Sequence, residues 1–342
     1  MKDLIEIQEK LFPEVVTIMQ RRYKILHYIK NLQPIGRRSL ADSIDLKERI
    51  VRSETEFLSA HGFIVVTAKG MRLTEDGSDM VEKLHLMMSE ISEFRVLESQ
   101  IKDKLQLDHV IVVPGNTDEQ QSVKKALGKA CAQFLSKIIT SDQTIAVTGG
   151  TSMAEVAEEM NPLPEAMNCT FVPARGGLGE QVENQANTIC AQMAKKANGN
   201  YRMLYVPDPL SEDTYHTIIE EPAIKEILEL IHDANIILHG IGDALTMAKR
   251  RKTSQDILDH LTKSQAVSEA FGYYLDHEGN VVYKVRTAGM QLEDLEHADY
   301  VIAVAGGTSK VEAIKSYFEQ GKSNVLITDE AVANELLKGT SL

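Results

Sequence analysis

Ile145-Ala-Val-Thr-Gly-Gly-Thr-Ser-Met-Ala-Glu155 and Ile302-Ala-Val-Ala-Gly-Gly-Thr-Ser-Lys-Val-Glu312 are one eleven-residue pattern written twice, identical at eight positions. Each copy reads as a short apolar strand, a Gly-Gly-Thr-Ser turn and the start of an amphipathic helix. Glycine lets backbone approach a ligand closely, and the unpaired N–H groups of a helix N-terminus, with its dipole, favour an anion. Neither copy is a dinucleotide fingerprint or a P-loop, because G-x-G-x-x-G and G-x-x-x-x-G-K-[ST] are both absent. Two such turns suggest a ligand with two phosphates, or with one phosphate and another acceptor-rich group. The candidate contacts are Thr148, Gly149, Gly150, Thr151 and Ser152 in the first copy and Gly306, Gly307, Thr308, Ser309 and Lys310 in the second. They differ where Thr148 faces Ala305 and where the second copy adds Lys310, so they are expected to hold different parts of one ligand.

Around these turns, from His109 to the C-terminus, the chain alternates strands and helices. Apolar runs at 110–113, 144–147, 170–172, 203–206, 236–239, 301–304 and 324–327 are continuous rather than alternating, as in strands buried on both faces of a parallel sheet. Helical segments separate most of them, and Tyr273 to Tyr283 reads as a hairpin about Glu278-Gly-Asn280. In an open parallel sheet, ligands bind beyond the carboxyl ends of the strands. Two further strand ends bear ligand-type residues, one leading into Arg175 and Gly176 and the other into Gly240, Gly242 and Asp243. Arg175 suits a bidentate phosphate clamp, and Lys310 supplies a point charge. Of Lys249, Arg250 and Arg251, Arg250 is favoured as the inward cation. Asp243 and Glu269 are candidate acceptors for sugar hydroxyls.

The N-terminal region has a different character. From Gln20 to Arg72 there are eleven Lys/Arg against five Asp/Glu, a balance of +6 in a chain of net charge −13, so the rest carries −19. Such a basic patch suits nucleic acid, whereas the acidic body does not. Residues 3–32 repeat apolar positions at helical spacing, with Pro13 starting or kinking the second part. A short helix over 37–43, a third from about Lys47 to Ala60 and a hairpin over 63–74 complete the order of a winged helix-turn-helix. On the third helix, Leu46, Ile50, Val51, Phe57 and Leu58 share one side, leaving Arg49, Arg52, Thr55 and Glu56 on the other. Lys47 and Ser53 join this DNA-facing set, while Arg37, Arg38, Ser39, Lys69 and Arg72 suit phosphates. The expected organisation is a winged helix-turn-helix over 1–75, a linker helix over 76–107 and a ligand-binding and oligomerisation domain over 108–342.

Composition excludes several classes. Apolar content of 43% in 342 residues fills globular cores, no run of eighteen apolar residues occurs, and Met1-Lys-Asp-Leu-Ile-Glu6 is not a signal peptide. A soluble, cytoplasmic protein with no membrane partner is expected. Cys131, Cys169 and Cys190 lack metal spacing and read as buried thiols, no histidine pair has metal-ligand spacing, and there is no nucleophile elbow. No metal, cofactor or catalytic residue is expected, and His239 reads as a core histidine.

Several stretches together resemble the SorC family of bacterial sugar-responsive transcription regulators. They include Pro34-Ile-Gly-Arg-Arg-Ser-Leu40, Val147-Thr-Gly-Gly-Thr151, Phe171-Val-Pro-Ala-Arg-Gly-Gly-Leu-Gly-Glu180, His239-Gly-Ile-Gly242 and Glu269-Ala-Phe-Gly-Tyr-Tyr274. The resemblance spans nearly the whole chain. It implies a Rossmann-like effector domain similar to glucosamine-phosphate deaminase and ribose-phosphate isomerase, a phosphorylated sugar as effector, and a homo-oligomer, dimer or tetramer, on operator DNA. It further implies repression of central glycolytic genes, with fructose 1,6-bisphosphate as inducer. The competing class is a sugar-phosphate isomerase or deaminase. Gly240-Ile-Gly-Asp243 supports that class, but the remainder of the deaminase turn is missing and an enzyme has no need of a winged helix.

Overall fold

A computed structural model describes residues 13–88, 93–177 and 181–338. The chain divides into two compact units, Met1–Ser99 and Gln100–Leu342.

In the first unit, α1 (Pro13–Leu32), α2 (Arg37–Ser43) and α3 (Glu48–Ala60) precede strands β1 (Ile64–Thr67) and β2 (Gly70–Leu73), which pair antiparallel. Residues 3–12 of the expected helix lie outside the described residues. Ile25, Leu26, Tyr28 and Ile29 of α1 are buried with Leu40 of α2, and with Val51 and Leu58 of α3. Ile35 bridges Met71, adding a third short segment to the hairpin. Gly70, at φ +129°, is required there, because a Cβ would come within 2.9 Å of the Ile35 backbone. The third helix departs from expectation at one position: Thr55, placed on the DNA side, is fully buried and its hydroxyl donates to the Arg52 carbonyl at 3.1 Å. The expected linker helix over 76–107 is helical as α4 (Glu75–Met88) and α5 (Glu93–Leu105); residues 89–92 lie outside the described residues, and the division into units falls within α5.

The second unit contains β3 (His109–Val113), α6 (Gln121–Ile138), β4 (Thr144–Val147), α7 (Thr151–Glu159), β5 (Thr170–Pro173), α8 (Ala186–Ala197) and β6 (Asn200–Tyr201). Then come α9 (Glu212–Ile219), α10 (Pro222–His232), β7 (Ile236–His239), β8 (Gly242–Asp243), α11 (Ala244–Arg250) and α12 (Gln255–Lys263). The chain continues through β9 (Ser268–Ala270), β10 (Tyr273–Leu275), β11 (Val281–Lys284), β12 (Tyr300–Val304), α13 (Val311–Phe318), β13 (Val325–Asp329) and α14 (Glu330–Leu337). Seven strands form a parallel sheet in the order β3-β13-β12-β7-β4-β5-β6. Strands such as β7 and β13 are buried at every residue, which explains their unbroken apolar runs. The two duplicated strands, β4 and β12, flank β7. Both Gly-Gly-Thr-Ser turns and the Gly240 turn therefore leave the sheet at neighbouring carboxyl ends.

Six of the seven expected strands occur, but 203–206 is not one of them. The Asn187 side chain holds the Leu204 backbone on both sides, donating to its carbonyl at 2.9 Å and accepting its N–H at 3.0 Å. Pairing with β5 is thus confined to Asn200–Tyr201. The expected hairpin about 278–280 forms β10 and β11, within a second sheet of order β11-β10-β9-β8. Strands β8 and β9 are too short and polar to register as sequence patterns, and α9, α11 and α12 were likewise not anticipated. All three cysteines are buried free thiols. Among the described residues no helix is long and apolar enough to cross a membrane.

Candidate functional site

On the first unit, Lys47, Arg49, Arg52 and Ser53 are exposed on or beside α3, as are Arg38 and Ser39 on α2 and Lys69 and Arg72 on the hairpin. Arg37 is half-buried and its Nε is enclosed without a hydrogen-bond partner. Arg52 donates to Glu56 at 2.9 Å along the helix, so contact with DNA requires it to exchange one anion for another. Glu54, which sequence reasoning missed, is buried and ties α3 to α1 through Arg21 at 3.2 Å and Arg22 at 2.8 Å. The Arg22 guanidinium also lies over the Phe57 ring, 3.5 Å from its centroid. These contacts set the orientation of the exposed arginine face.

On the second unit, a cavity of about 390 Å³ opens at the carboxyl ends of β4, β7 and β12. That volume is in the range of small-molecule sites. Thr148, Gly149, Gly150, Thr151 and Ser152 all line it, with Met153. Gly150 has φ +112°, and the space beside it is open. Its own N–H is taken by the Asn184 carbonyl at 2.9 Å. The donors that this turn can offer to an anion are therefore the first-turn N–H groups of α7 at Thr151, Ser152 and Met153, which have no carbonyl within the helix to reach. The Thr148 hydroxyl is buried without a hydrogen-bond partner.

The second turn also has its second glycine at positive φ but continues as a 3-10 turn over Thr308–Lys310, and its fate is different. Gly307 sits at φ +97°, but a Cβ there would lie 2.4 Å from Asp118 Oδ1. Asp118 accepts the Ser309 N–H at 2.8 Å and hydroxyl bonds from Ser309 at 2.9 Å and Thr308 at 3.2 Å. The Gly307 N–H is donated to Asp329 at 2.7 Å. Only Ser309 and Lys310 of this turn line the cavity; Gly306, Gly307 and Thr308 do not. The expectation of two open cradles is thereby corrected, because two carboxylates of the chain fill the second one. Burial tends to raise the Asp118 pKa, yet the bonds from Ser309 and Thr308 and the nearby Lys310 hold it below the usual range.

Arg175 also lines the cavity, but not as a free clamp. Its Nε donates to Asp208 at 2.6 Å and its Nη1 lies 3.6 Å from Glu269, with the side chain almost wholly buried. Gly176 lies outside the cavity because its backbone packs against Val206, whose carbonyl a Cβ would meet at 2.3 Å. Glu269, expected to await a sugar hydroxyl, is buried, accepting Arg251 at 2.6 Å and the Gly272 N–H at 2.7 Å. Burial alone would raise its pKa; Arg251 and Arg175 outweigh that and lower it. Asp243 caps α11, accepting the Thr246 N–H at 2.8 Å, and lines the cavity with Gly240 and Gly242.

Of the three consecutive cations, Arg250 and Arg251 line the cavity and Lys249 does not. Arg251 is committed to Glu269 and to the Tyr274 hydroxyl at 3.1 Å, which leaves exposed Arg250 as the cation facing the opening. The Lys310 pKa is lowered by burial and by the proximity of Lys124 and Arg250; that of Lys124 is lowered by burial and, in part, by Arg250. Cations that depress one another mark a place that an anion would stabilise. Asn184, Met247 and Phe271, which line the cavity, and Lys124, which lies beside Lys310, were missed from sequence, since neither position nor spacing distinguishes them. No cluster of potential metal ligands occurs among the described residues.

Comparison with known proteins matches these two units to two families. A CggR N-terminal DNA-binding domain model matches residues 18–88, and a sugar-binding domain model matches residues 89–338. The chain is 50% identical to the central glycolytic genes regulator of Priestia megaterium and 46% identical to that of Bacillus subtilis, in each case over 99% of both chains. A solved SorC family transcriptional regulator from Enterococcus faecalis is 47% identical, with a TM-score of 0.67, over 71% of this chain and 99% of its own. The chain belongs to the SorC family. Like its SorC relatives it is a sugar-responsive transcriptional regulator and not an enzyme, with an N-terminal DNA-binding domain and a sugar-binding domain on a seven-stranded parallel sheet.

Proposed function

We propose that this regulator is a cytoplasmic repressor of central glycolytic genes, released from its operator when a sugar bisphosphate, fructose 1,6-bisphosphate, occupies the cavity. The observation that carries the reading is the convergence of Arg250 and Lys310, with Lys124 close behind Lys310, at a cavity that also presents the open N-terminus of α7. One phosphate lies against Thr151, Ser152 and Met153, the sugar against Gly240 to Asp243, and the other phosphate towards Ser309, Lys310 and Arg250. The sugar-binding domain match and the cations at the cavity support a phosphorylated sugar as the ligand.

In this reading the protein acts as a homo-oligomer, dimer or tetramer, that presents two winged helices to half-sites set roughly 34 Å apart or at multiples of it. A ligand that favours one subunit arrangement changes that spacing, and linkage requires operator affinity to shift by the same factor as ligand affinity. Titration of a labelled operator complex with fructose 1,6-bisphosphate, fructose 6-phosphate, ribose 5-phosphate and glucosamine 6-phosphate tests it. Release by the bisphosphate at lower concentration than by any monophosphate is expected; indifference to all four overturns the reading.

A further inference from the structure

The two Gly-Gly-Thr-Ser turns share sequence, with the second glycine of each at positive φ, yet the first opens directly into an α-helix and is open, while the second passes through a 3-10 turn at Thr308–Lys310 and is filled by Asp118. The Asp118 carboxylate makes three bonds to Thr308 and Ser309, where the free N–H of a turn would otherwise meet a ligand oxygen. Beside it, the Lys310 ammonium lines the cavity and makes no hydrogen bond or ion pair among the described residues. The second turn is thus half of an anion site: the backbone donor is taken by a carboxylate, and the cation is left facing the cavity.

We propose that Asp118 is a built-in stand-in for phosphate, displaced from the Thr308–Ser309 turn by the second phosphate of a sugar bisphosphate, and that it sets the preference between ligands with one and two phosphates. The proposal rests on the reading of the cavity as the effector site. A phosphate offers three acceptor oxygens and nearly two charges where a carboxylate offers two oxygens and one charge, so it wins the Ser309 donor and gains Lys310 as well. Asp118 is exposed, and its carboxylate passes into water on release with little desolvation to reverse.

The loop backbone is held, with the N–H groups of Asp118, Glu119 and Gln120 all bonded to Asn116, so the movement is one of the Asp118 side chain. Gly115 donates to Glu330 at 3.2 Å, and Thr117 is held by Asp329 through its N–H at 2.8 Å and its hydroxyl at 2.5 Å. Both anchors precede Asp118. Among the described residues, the Asp118 side chain bonds to Thr308 and Ser309 of the second turn. After it the chain runs into α6, whose Leu127 packs against Gly306 and whose Gln121 donates to Glu155 of α7 at 2.9 Å. Displacement of Asp118 therefore reports on the helix that joins the two turns.

Isothermal titration of the full-length protein with fructose 1,6-bisphosphate and with fructose 6-phosphate tests this in wild type, Asp118→Asn and Asp118→Ala. Loss of the internal competitor is expected to tighten bisphosphate binding about tenfold while changing monophosphate binding less than about threefold. Equal changes for both ligands, no change, or weaker bisphosphate binding overturns it. So does a loss of folding in both variants by circular dichroism, which would make the carboxylate a structural cap. If wild type binds neither ligand, the effector-site reading itself fails; if wild type binds but the variants do not discriminate, only the role of Asp118 fails.

Discussion

Arg251 Nη2 lies 2.6 Å from Glu269 Oε1, joining the end of α11 to β9 at the floor of the cavity. Through Glu269 the contact continues to Arg175 at 3.6 Å and on to Asp208, so charges of alternating sign run beneath the site. Thr287 adds a hydroxyl bond to Asp208 at 2.9 Å. Each charge is buried, and each depends on its neighbours for neutralisation.

Removing one member leaves its partner charged and dry. Arg251→Ala is expected to lower unfolding stability by about 3 kcal/mol, and Arg175→Ala to act similarly. Urea denaturation measures both. An Arg251→Met/Glu269→Gln double variant should recover part of the loss; wild-type stability in the single variants would show that the network contributes nothing.

Arg250 and Lys310 face the cavity without belonging to that network. Arg250→Ala and Lys310→Ala should each weaken fructose 1,6-bisphosphate binding about 10- to 100-fold, the range for losing a bond to a charged group. Operator affinity without sugar should be unchanged. Calorimetry and gel shift on the same preparations check the two halves of this statement.

The exposed face of α3 should separate from the sugar site. Arg49→Ala is expected to cost about 1–3 kcal/mol of operator affinity, whereas Lys69→Ala should lower the slope of log K against log salt by about 1. Neither should alter sugar affinity. Arg52 begins paired with Glu56, so Glu56→Ala frees it and should tighten non-specific DNA binding. Fluorescence anisotropy at several salt concentrations distinguishes these outcomes.

His239 gives stability a pH dependence. Its Nδ1–H donates to the Gly240 carbonyl at 3.2 Å, and its Nε2 lies 3.1 Å from the Tyr317 hydroxyl and 3.3 Å from that of Ser323. Burial pushes its pKa from 6.5 down to about 4. Between those values the unfolded chain takes a proton that the folded chain refuses, so stability falls as pH drops from about 6.5 towards 4, by about 3 kcal/mol at the limit. His232, whose pKa is raised by the hydrogen bond that it donates to the Asp294 carboxylate, acts in the opposite sense and is common to both proteins. The difference in melting temperature between wild type and His239→Gln should therefore shrink from pH 7.5 to 5.5; a constant difference would show that His239 does not titrate.

Much of this architecture is local and was legible. The parallel sheet followed from unbroken apolar runs, because strands buried on both faces have no polar side to alternate with. The winged helix followed from helical spacing and a basic excess, and the first Gly-Gly-Thr-Ser turn from a glycine whose φ of +112° few other residues adopt. Thr55 escaped because a helical wheel assigns a face but not which of its edges a neighbour covers. Residues 203–206 escaped because a side chain, that of Asn187, took the hydrogen bonds on which strand pairing depends.

What the sequence determined by itself was composition and local geometry: a basic stretch over residues 20–72 in an otherwise acidic chain, most of the strands of the parallel sheet, and two turns able to hold an anion. Only the tertiary structure decided which turn stays open. Asp118 lies 191 residues before Ser309, and Asp208 and Glu269 reach Arg175 from separate segments. A carboxylate neutralises a cation or fills a cradle by being within a few ångströms of it, and distance in space is what chain folding, not spacing along the chain, sets.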